Sequence, residues 1–203
     1  YLLYGGSLKV IRADNASLKN AIDTAQFTVT TFSAVDTTLT VADSTDFDVA
    51  DLLLIDAEIL AISSVSGNDV QVTRGQLATA ATSHAAASDI TLIEATASVS
   101  TINEGSTFTD ADTTLTVTSV ASLGVTTNDY IRVDDEILRV TAIVGNDLTV
   151  TRAQLGTSAA AHTDGSTVTK QTVTASKTTI NESTSTGVTA PIIKNLDTYE
   201  NTV

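Results

Sequence analysis

The stretch IDAEILAISSVSGNDVQVTRGQLATAATSH, residues 55–84, decides the fold because the chain repeats it closely as VDDEILRVTAIVGNDLTVTRAQLGTSAAAH, residues 133–162. Residues 51–84 align with residues 129–162 at a constant offset of 78, and 16 of the 34 positions are identical. The match continues in TASVSTINE (96–104) and TASKTTINE (174–182), and upstream DTTLTV recurs at 36–41 and 112–117. Because this period exceeds the roughly 20–50 residues of solenoid repeats, it indicates two tandem small domains.

Each copy has the pattern of a short series of β-strands. After an initial TLTV strand, the predicted strands are Leu52–Ile55 and 58–65 in the first copy, Tyr130–Val133 and 136–144 in the second, then VQVTR or LTVTR, and finally DITLI or STVTK. Gly67-Asn68 and Gly145-Asn146 lie where a two-residue hairpin turn requires positive φ. Thr and Val favour strands, so we predict an all-β fold in which each copy is a small barrel or sandwich.

The repeat also predicts the organisation of the chain. We expect repeat domains at 30–94 and 107–171, joined by a connecting strand or linker at 95–106. The remaining segments, 1–29 and 172–203, resemble the edges of another domain; the first contains a Gly5-Gly6 turn and a strand at 8–13, and the second contains the single proline, Pro191. Since the chain begins at Tyr1 and has no Met, we expect an internal piece of a longer protein.

Composition argues against several classes of function. Ten Lys and Arg against 24 Asp and Glu give a net charge of −14, which repels nucleic acid and anionic lipid, so neither is an expected partner. No apolar run approaches the roughly 18 residues of a membrane-spanning helix, so membrane insertion is not expected. The absence of cysteine excludes disulfides, thiolate catalysis and cysteine-ligated metals.

The repeated polar residues are the candidates for chemistry: Asp56, Glu58, Arg74, Gln76 and His84, with counterparts Asp134, Glu136, Arg152, Gln154 and His162. Two carboxylates two positions apart on an extended segment can face the same way, as a general acid and base require. The structural alternative is a cross-strand ion pair on each hairpin, Glu58 with Arg74 and Glu136 with Arg152, contributing about 0.2–1 kcal/mol if exposed. We favour the structural reading, in which the histidines satisfy local backbone groups or cover the open end of each unit.

An acidic run, DSTDFDVAD, offers a possible calcium site through Asp43, Asp46, Asp48 and Asp51. It lacks the regular spacing and central glycine of an EF-hand loop, and the second copy keeps only the last aspartate. The alternative is a solvated loop. No glycine-rich phosphate loop, nucleophile elbow or HExxH motif occurs, so no metal, cofactor or enzymatic activity is predicted.

The ends of the chain carry a resemblance to a known family. YGGSLKVIRADN (4–15) resembles the glycine turn and strand of contractile tail sheath proteins of T4-like bacteriophages, particularly myoviruses of marine hosts such as cyanophages. IIKNLDTYENTV (192–203) is similar to the place where the sheath core resumes after an insertion, and the repeat is similar to β modules of phage tail proteins.

The resemblance implies a structural virion protein of the phage tail, assembled in the host cytoplasm. The two repeats would be inserted in an α/β sheath core as an outer surface decoration. Subunits of this family self-associate as a helical homo-oligomer around the tail tube. The alternative is a receptor-binding or adhesin-like module of a tail fibre, baseplate or bacterial surface protein, and host surface contact is compatible with both. An enzyme is the third choice and would need a cleft around Asp56 and Glu58 or their counterparts.

Overall fold

A computed structural model describes residues 31–182 in full and, outside them, only the backbone of the short strands at 2–4, 7–9, 28–29 and 183–184. The chain divides into two units. One combines Tyr1–Val29 with Ser183–Val203, and the other is Thr30–Glu182, which contains both repeats.

Two short antiparallel pairs are described in the first unit. Strand β1 (Leu2–Tyr4) pairs with β2 (Ser7–Lys9), so that Gly5 and Gly6 lie between paired strands as predicted. The rest of the strand predicted at 8–13 lies outside the described residues, as does Pro191. Strand β3 (Thr28–Val29) pairs with β14 (Ser183–Thr184), and Val29 is opposite Ser183. The chain therefore leaves this unit and returns to it on adjacent strands.

The second unit is built almost entirely of strands, which confirms the all-β prediction. In chain order they are β4 (Thr38–Thr40), β5 (Leu52–Ile55), β6 (Glu58–Ser66), β7 (Asp69–Gln76), β8 (Asp89–Thr101), β9 (Thr114–Thr116), β10 (Tyr130–Val133), β11 (Glu136–Val144), β12 (Asp147–Thr151) and β13 (Thr167–Thr179). The short helix α1 (Val120–Leu123), which the sequence analysis did not predict, lies between β9 and β10. The strands form one antiparallel open sheet in the order β4-β7-β6-β5-β8-β13-β10-β11-β12-β9.

The hairpin turns lie where the glycines predicted them. Gly67 and Gly145 have φ of 58° and 64° and separate β6 from β7 and β11 from β12. The asparagines that follow them are not among the residues with positive φ, so only the glycine of each turn needs the left-handed region.

The two longest strands, β8 and β13, pair with each other at the centre of the sheet. Glu94 lies opposite Thr172, and Thr101 lies opposite Thr167. Because Glu94 and Thr172 are equivalent positions of the two repeats, a pseudo-twofold axis passes between them. The segment expected to connect the repeats is therefore mostly strand, and it carries the symmetry of the unit.

Beyond this central pair, each repeat receives a residue from the other copy's downstream segment. Ile180 bridges to Val41 and is buried in a core of first-repeat side chains that includes Phe32, Leu53 and Ile90. Ile102 likewise bridges to Val117 and is buried in the corresponding core of the second repeat. The segment that follows each repeat in sequence therefore completes the core of the other.

A third apolar cluster joins the repeats. It consists of Leu52, Ile59, Leu77 and Ile93 from the first copy and Ile137 from the second, with Val173 and Leu155 packed against it. The repeats at 30–94 and 107–171 thus share a sheet and an apolar contact within one compact unit.

Candidate functional site: a duplicated buried ion cluster

The repeated polar residues meet around the first turn of each hairpin. Strand β5 ends at Ile55, Asp56 adopts φ of 54°, and β6 begins at Glu58, opposite Ile55. This turn directs the Glu58 side chain inward, where it is fully buried. Arg74 comes from β7, and His84 from the loop that follows.

Glu58 and Arg74 form the cross-strand ion pair that the sequence suggested, but in a buried form. The guanidinium binds both carboxylate oxygens, with Nε to Oε1 and Nη2 to Oε2 each at 2.7 Å. The backbone N–H groups of Gly75 and Thr82 also donate to the carboxylate, at 3.1 and 3.0 Å. Such a bidentate, desolvated pair is geometrically far more specific than the exposed pair that was expected.

The other donors of Arg74 are used by the backbone. Nη1 donates to the carbonyl oxygens of Ser33 and Asp36 at 2.6 and 3.1 Å, and Nη2 donates to the carbonyl oxygen of Thr82. The guanidinium carbon lies 4.2 Å from the ring centre of Phe32, which places the cation over an aromatic face. Arg74 thereby ties the strand before β4 and the loop after β7 to the hairpin.

The His84 ring binds two carboxylates. Its Nδ1 lies 2.7 Å from Asp56 Oδ2, and its Nε2 lies 2.8 Å from Glu58 Oε2. Since an ionised carboxylate only accepts hydrogen bonds, both contacts together require a proton on each ring nitrogen. The expectation that the ring satisfies local backbone groups is wrong, because the backbone of His84, not its ring, pairs with Phe32.

The second repeat reproduces this cluster almost atom for atom. Arg152 donates from Nε and Nη2 to Glu136 at 2.8 and 2.7 Å, and His162 contacts Asp134 and Glu136 at 2.8 and 2.9 Å. The guanidinium carbon lies 4.3 Å from the ring centre of Phe108. The repeat has therefore conserved a complete three-dimensional cluster and not only a sequence pattern.

The glutamates are held in the ionised form. Burial by itself would raise their pKa, but hydrogen bonds from the arginine, the histidine and two backbone N–H groups outweigh it. The pKa of Glu58 and that of Glu136 fall from 4.5 to about 2. A general acid near neutral pH needs the opposite shift, and the donors that surround these carboxylates leave no open side for a substrate.

Gln76 and Gln154 lie beside the cluster without binding its carboxylates. Their amide groups donate to the carbonyl oxygens of Arg74 and Arg152, at 3.0 and 2.8 Å. They stabilise the backbone that follows each arginine, which is a local role.

The acidic run does not converge on a common point. Asp43 accepts from the Thr45 N–H at 2.9 Å, and Asp51 accepts from the Asp48 N–H at 2.8 Å. Asp46 binds Lys177 Nζ at 2.9 Å. Across residues 31–182, no group of three or more acidic or histidine side chains has the geometry to hold a metal ion.

Phe32 and Phe108 were missed as members of the cluster. A longer alignment at the offset of 76 would have found them, because TFSAVDTTLTV (31–41) and TFTDADTTLTV (107–117) share the phenylalanine as well as the strand. The short match DTTLTV hid this signal.

No protein family model, curated protein or solved structure matches this chain. Within the described part of the chain, no helix is long and apolar enough to cross a bilayer. The function must therefore be argued from the chain's own residues and geometry.

Proposed function

We propose that the chain is a structural virion protein, a segment of a contractile phage tail sheath subunit that carries Thr30–Glu182 as an inserted outer decoration. The observation that supports this most is the pairing of β3 with β14 on either side of the inserted unit. A compact unit whose two connections are adjacent can be inserted in a host domain without separating the strands on either side.

We also propose a finer description of the inserted unit. Each repeat closes into a small barrel: in the first, Val41 at the outer edge bridges to Ile180 at the end of the central pair, and in the second, Val117 bridges to Ile102. The two barrels would share β8 and β13. This arrangement would keep the tandem domains of the sequence prediction while making them inseparable.

The ion clusters support a scaffold role. Their charges are buried and mutually paired, and among the described residues no buried side-chain polar atom lacks a hydrogen-bond partner. The cluster ties three segments of each repeat together, and its carboxylates are saturated with donors. The net charge of −14 gives the chain a repulsive, well-hydrated exterior, as a decoration on a crowded particle requires.

The test is electron microscopy of the native particle with a binder raised against residues 30–182. Density that repeats helically around a tube, with the binder outermost, supports the proposal. Isolated copies at a fibre tip or cell surface would refute it and favour receptor binding. A second test replaces residues 30–182 by a short Gly-Ser linker between β3 and β14; tubes should still assemble, whereas loss of assembly would contradict a decorative role.

A further inference from the structure

Each repeat contains a strand-acceptor groove, defined in the first repeat by the backbone of residues 40–43 on one side and 87–88 on the other. The groove is filled by residues 178–182, with the sequence TTINE, which we call the donor segment. In the second repeat the groove is formed by residues 116–119 and 165–166, and its donor segment is 100–104, with the sequence STINE.

The first groove holds its donor by hydrogen bonds on both sides. Ala42 N donates to Thr179 O at 3.0 Å, and Asn181 N donates to Thr40 O at 2.8 Å. On the other side, Ile180 N donates to Ser88 O and Ala87 N donates to Ile180 O, both at 3.0 Å.

Side chains of the donor add the sequence preference. Ile180 fills the core and is 2% exposed. The Glu182 carboxylate accepts from Thr40 N at 2.7 Å, and the Thr178 hydroxyl accepts from Asp43 N at 2.9 Å. A ligand for this groove is therefore an extended peptide with a hydroxyl residue, then isoleucine, then glutamate two positions later.

The second groove makes the same six hydrogen bonds. Thr118 N donates to Thr101 O, Asn103 N to Thr116 O, Ile102 N to Ser166 O, Gly165 N to Ile102 O, Thr116 N to the Glu104 carboxylate, and Ser119 N to the Ser100 hydroxyl. The two grooves are thus independent examples of one recognition mode.

The grooves differ in how the donor is connected. In the second repeat, Ile102 precedes its partner Val117 by 15 residues; in the first, Ile180 follows Val41 by 139 residues. The contacts are nevertheless the same, so the groove recognises the donor through local contacts and not through the direction or length of the link. A donor presented by another molecule satisfies those contacts equally well.

We propose that the first groove is an exchangeable peptide-binding site, and that its partner in trans is the donor segment 178–182 of a second copy of this chain. Strand addition of this kind draws its affinity from main-chain hydrogen bonds and its specificity from the side-chain pocket. Within one molecule the tethered donor has a high effective concentration, so exchange requires its release and increases with the concentration of chains. The proposal is independent of the sheath assignment.

The direct test uses the full chain with Ile180→Ser, which weakens the resident donor, and a synthetic peptide of residues 174–182. We expect the peptide to bind the variant one to one and to raise its melting temperature, and to bind the wild-type chain at least tenfold more weakly because the groove is filled. A control peptide with serine at the isoleucine position should not bind. A folded variant that ignores the peptide at 1 mM would overturn the proposal.

A second test does not depend on the stability of that variant. Because the chain has no cysteine, single-cysteine chains with Thr40→Cys and Asn181→Cys can be mixed, refolded together and treated with a short bis-maleimide. We expect a covalent heterodimer whose yield rises with protein concentration. The matched pair Thr116→Cys and Asn103→Cys, whose donor lies 13 residues from its acceptor, should give at least tenfold less. Equal yields, or no heterodimer from the first pair, would refute exchange.

Discussion

Replacing Glu136 by glutamine tests whether the buried ion cluster stabilises the fold. Five donors converge on this carboxylate: Arg152 Nε and Nη2, the N–H groups of Ala153 and Ala160, and His162 Nε2, at 2.7–3.1 Å. Glutamine keeps the shape of the side chain but loses the charge and turns an NH2 group toward some of these donors. The variant therefore leaves a buried arginine without its counter-ion.

The expected loss can be worked from the pKa of Glu136. A fall from 4.5 to about 2 corresponds to about 3 kcal/mol of stabilisation of the ionised form. Removing one partner of a buried pair costs about 3–5 kcal/mol, which agrees. We expect Glu136→Gln to lower the free energy of unfolding at pH 7 by at least about 3 kcal/mol, measured by urea denaturation with far-UV circular dichroism.

The pH dependence gives the sign a separate test. Because the folded-state pKa of Glu136 is lowered, its contribution is complete above about pH 5 and disappears as the pH falls from 4.5 toward 2. The difference between wild type and Glu136→Gln should shrink over the same interval. Asp134→Asn is the matched control, since that side chain is 58% exposed and should contribute under about 1 kcal/mol. A loss below 1 kcal/mol at pH 7, or a difference unchanged down to pH 2.5, would refute the reasoning.

Three further predictions use the same urea assay. Gly156→Ala should cost at least about 2 kcal/mol more than Gly145→Ala: both have positive φ, but a Cβ at 156 would lie 2.7 Å from a backbone carbonyl oxygen, whereas nothing lies within 4 Å at 145; equal costs would contradict this. Arg74→Lys should cost about 2–4 kcal/mol because an ammonium group cannot bridge both oxygens of a carboxylate, while exposed Arg139→Lys should change stability by under 0.5 kcal/mol; similar losses would count against a special role for the cluster. Ile102→Ala should cost about 2–4 kcal/mol in a single transition, and two separate transitions would show that the repeats unfold independently.

The local structure could be predicted because its signals lie close together in the sequence. Alternating apolar residues predicted β5 and β10 with their observed ends, and the glycines marked the hairpin turns. The pairing of Glu58 with Arg74 followed from the same hairpin. Its burial did not, because the residues that cover the pair come from loops before β4 and after β7, which no periodic pattern relates to the hairpin.

The rest of the site depends on contacts between distant positions. His84 lies 28 residues from Asp56, and its sequence surroundings of Ala, Thr and Ser give no indication of a carboxylate partner. The repeated TINE sequence indicated an important segment. It could not show that each copy enters the groove of the other repeat, because both grooves fit both donors by sequence.

The donor segment also reverses the usual order in which a chain can fold during synthesis. The core of the second repeat uses residues from Ile102 to Val168, so it can close as soon as that strand leaves the ribosome. The first core waits for Ile180, which follows Val41 by 139 residues, or about 7–28 s at 5–20 residues per second. During that delay the amino-terminal repeat exposes an unpaired strand edge and an unfilled core. The nascent chain would therefore depend on chaperones most at its earlier half, and translation slowed after residue 171 would prolong that exposure.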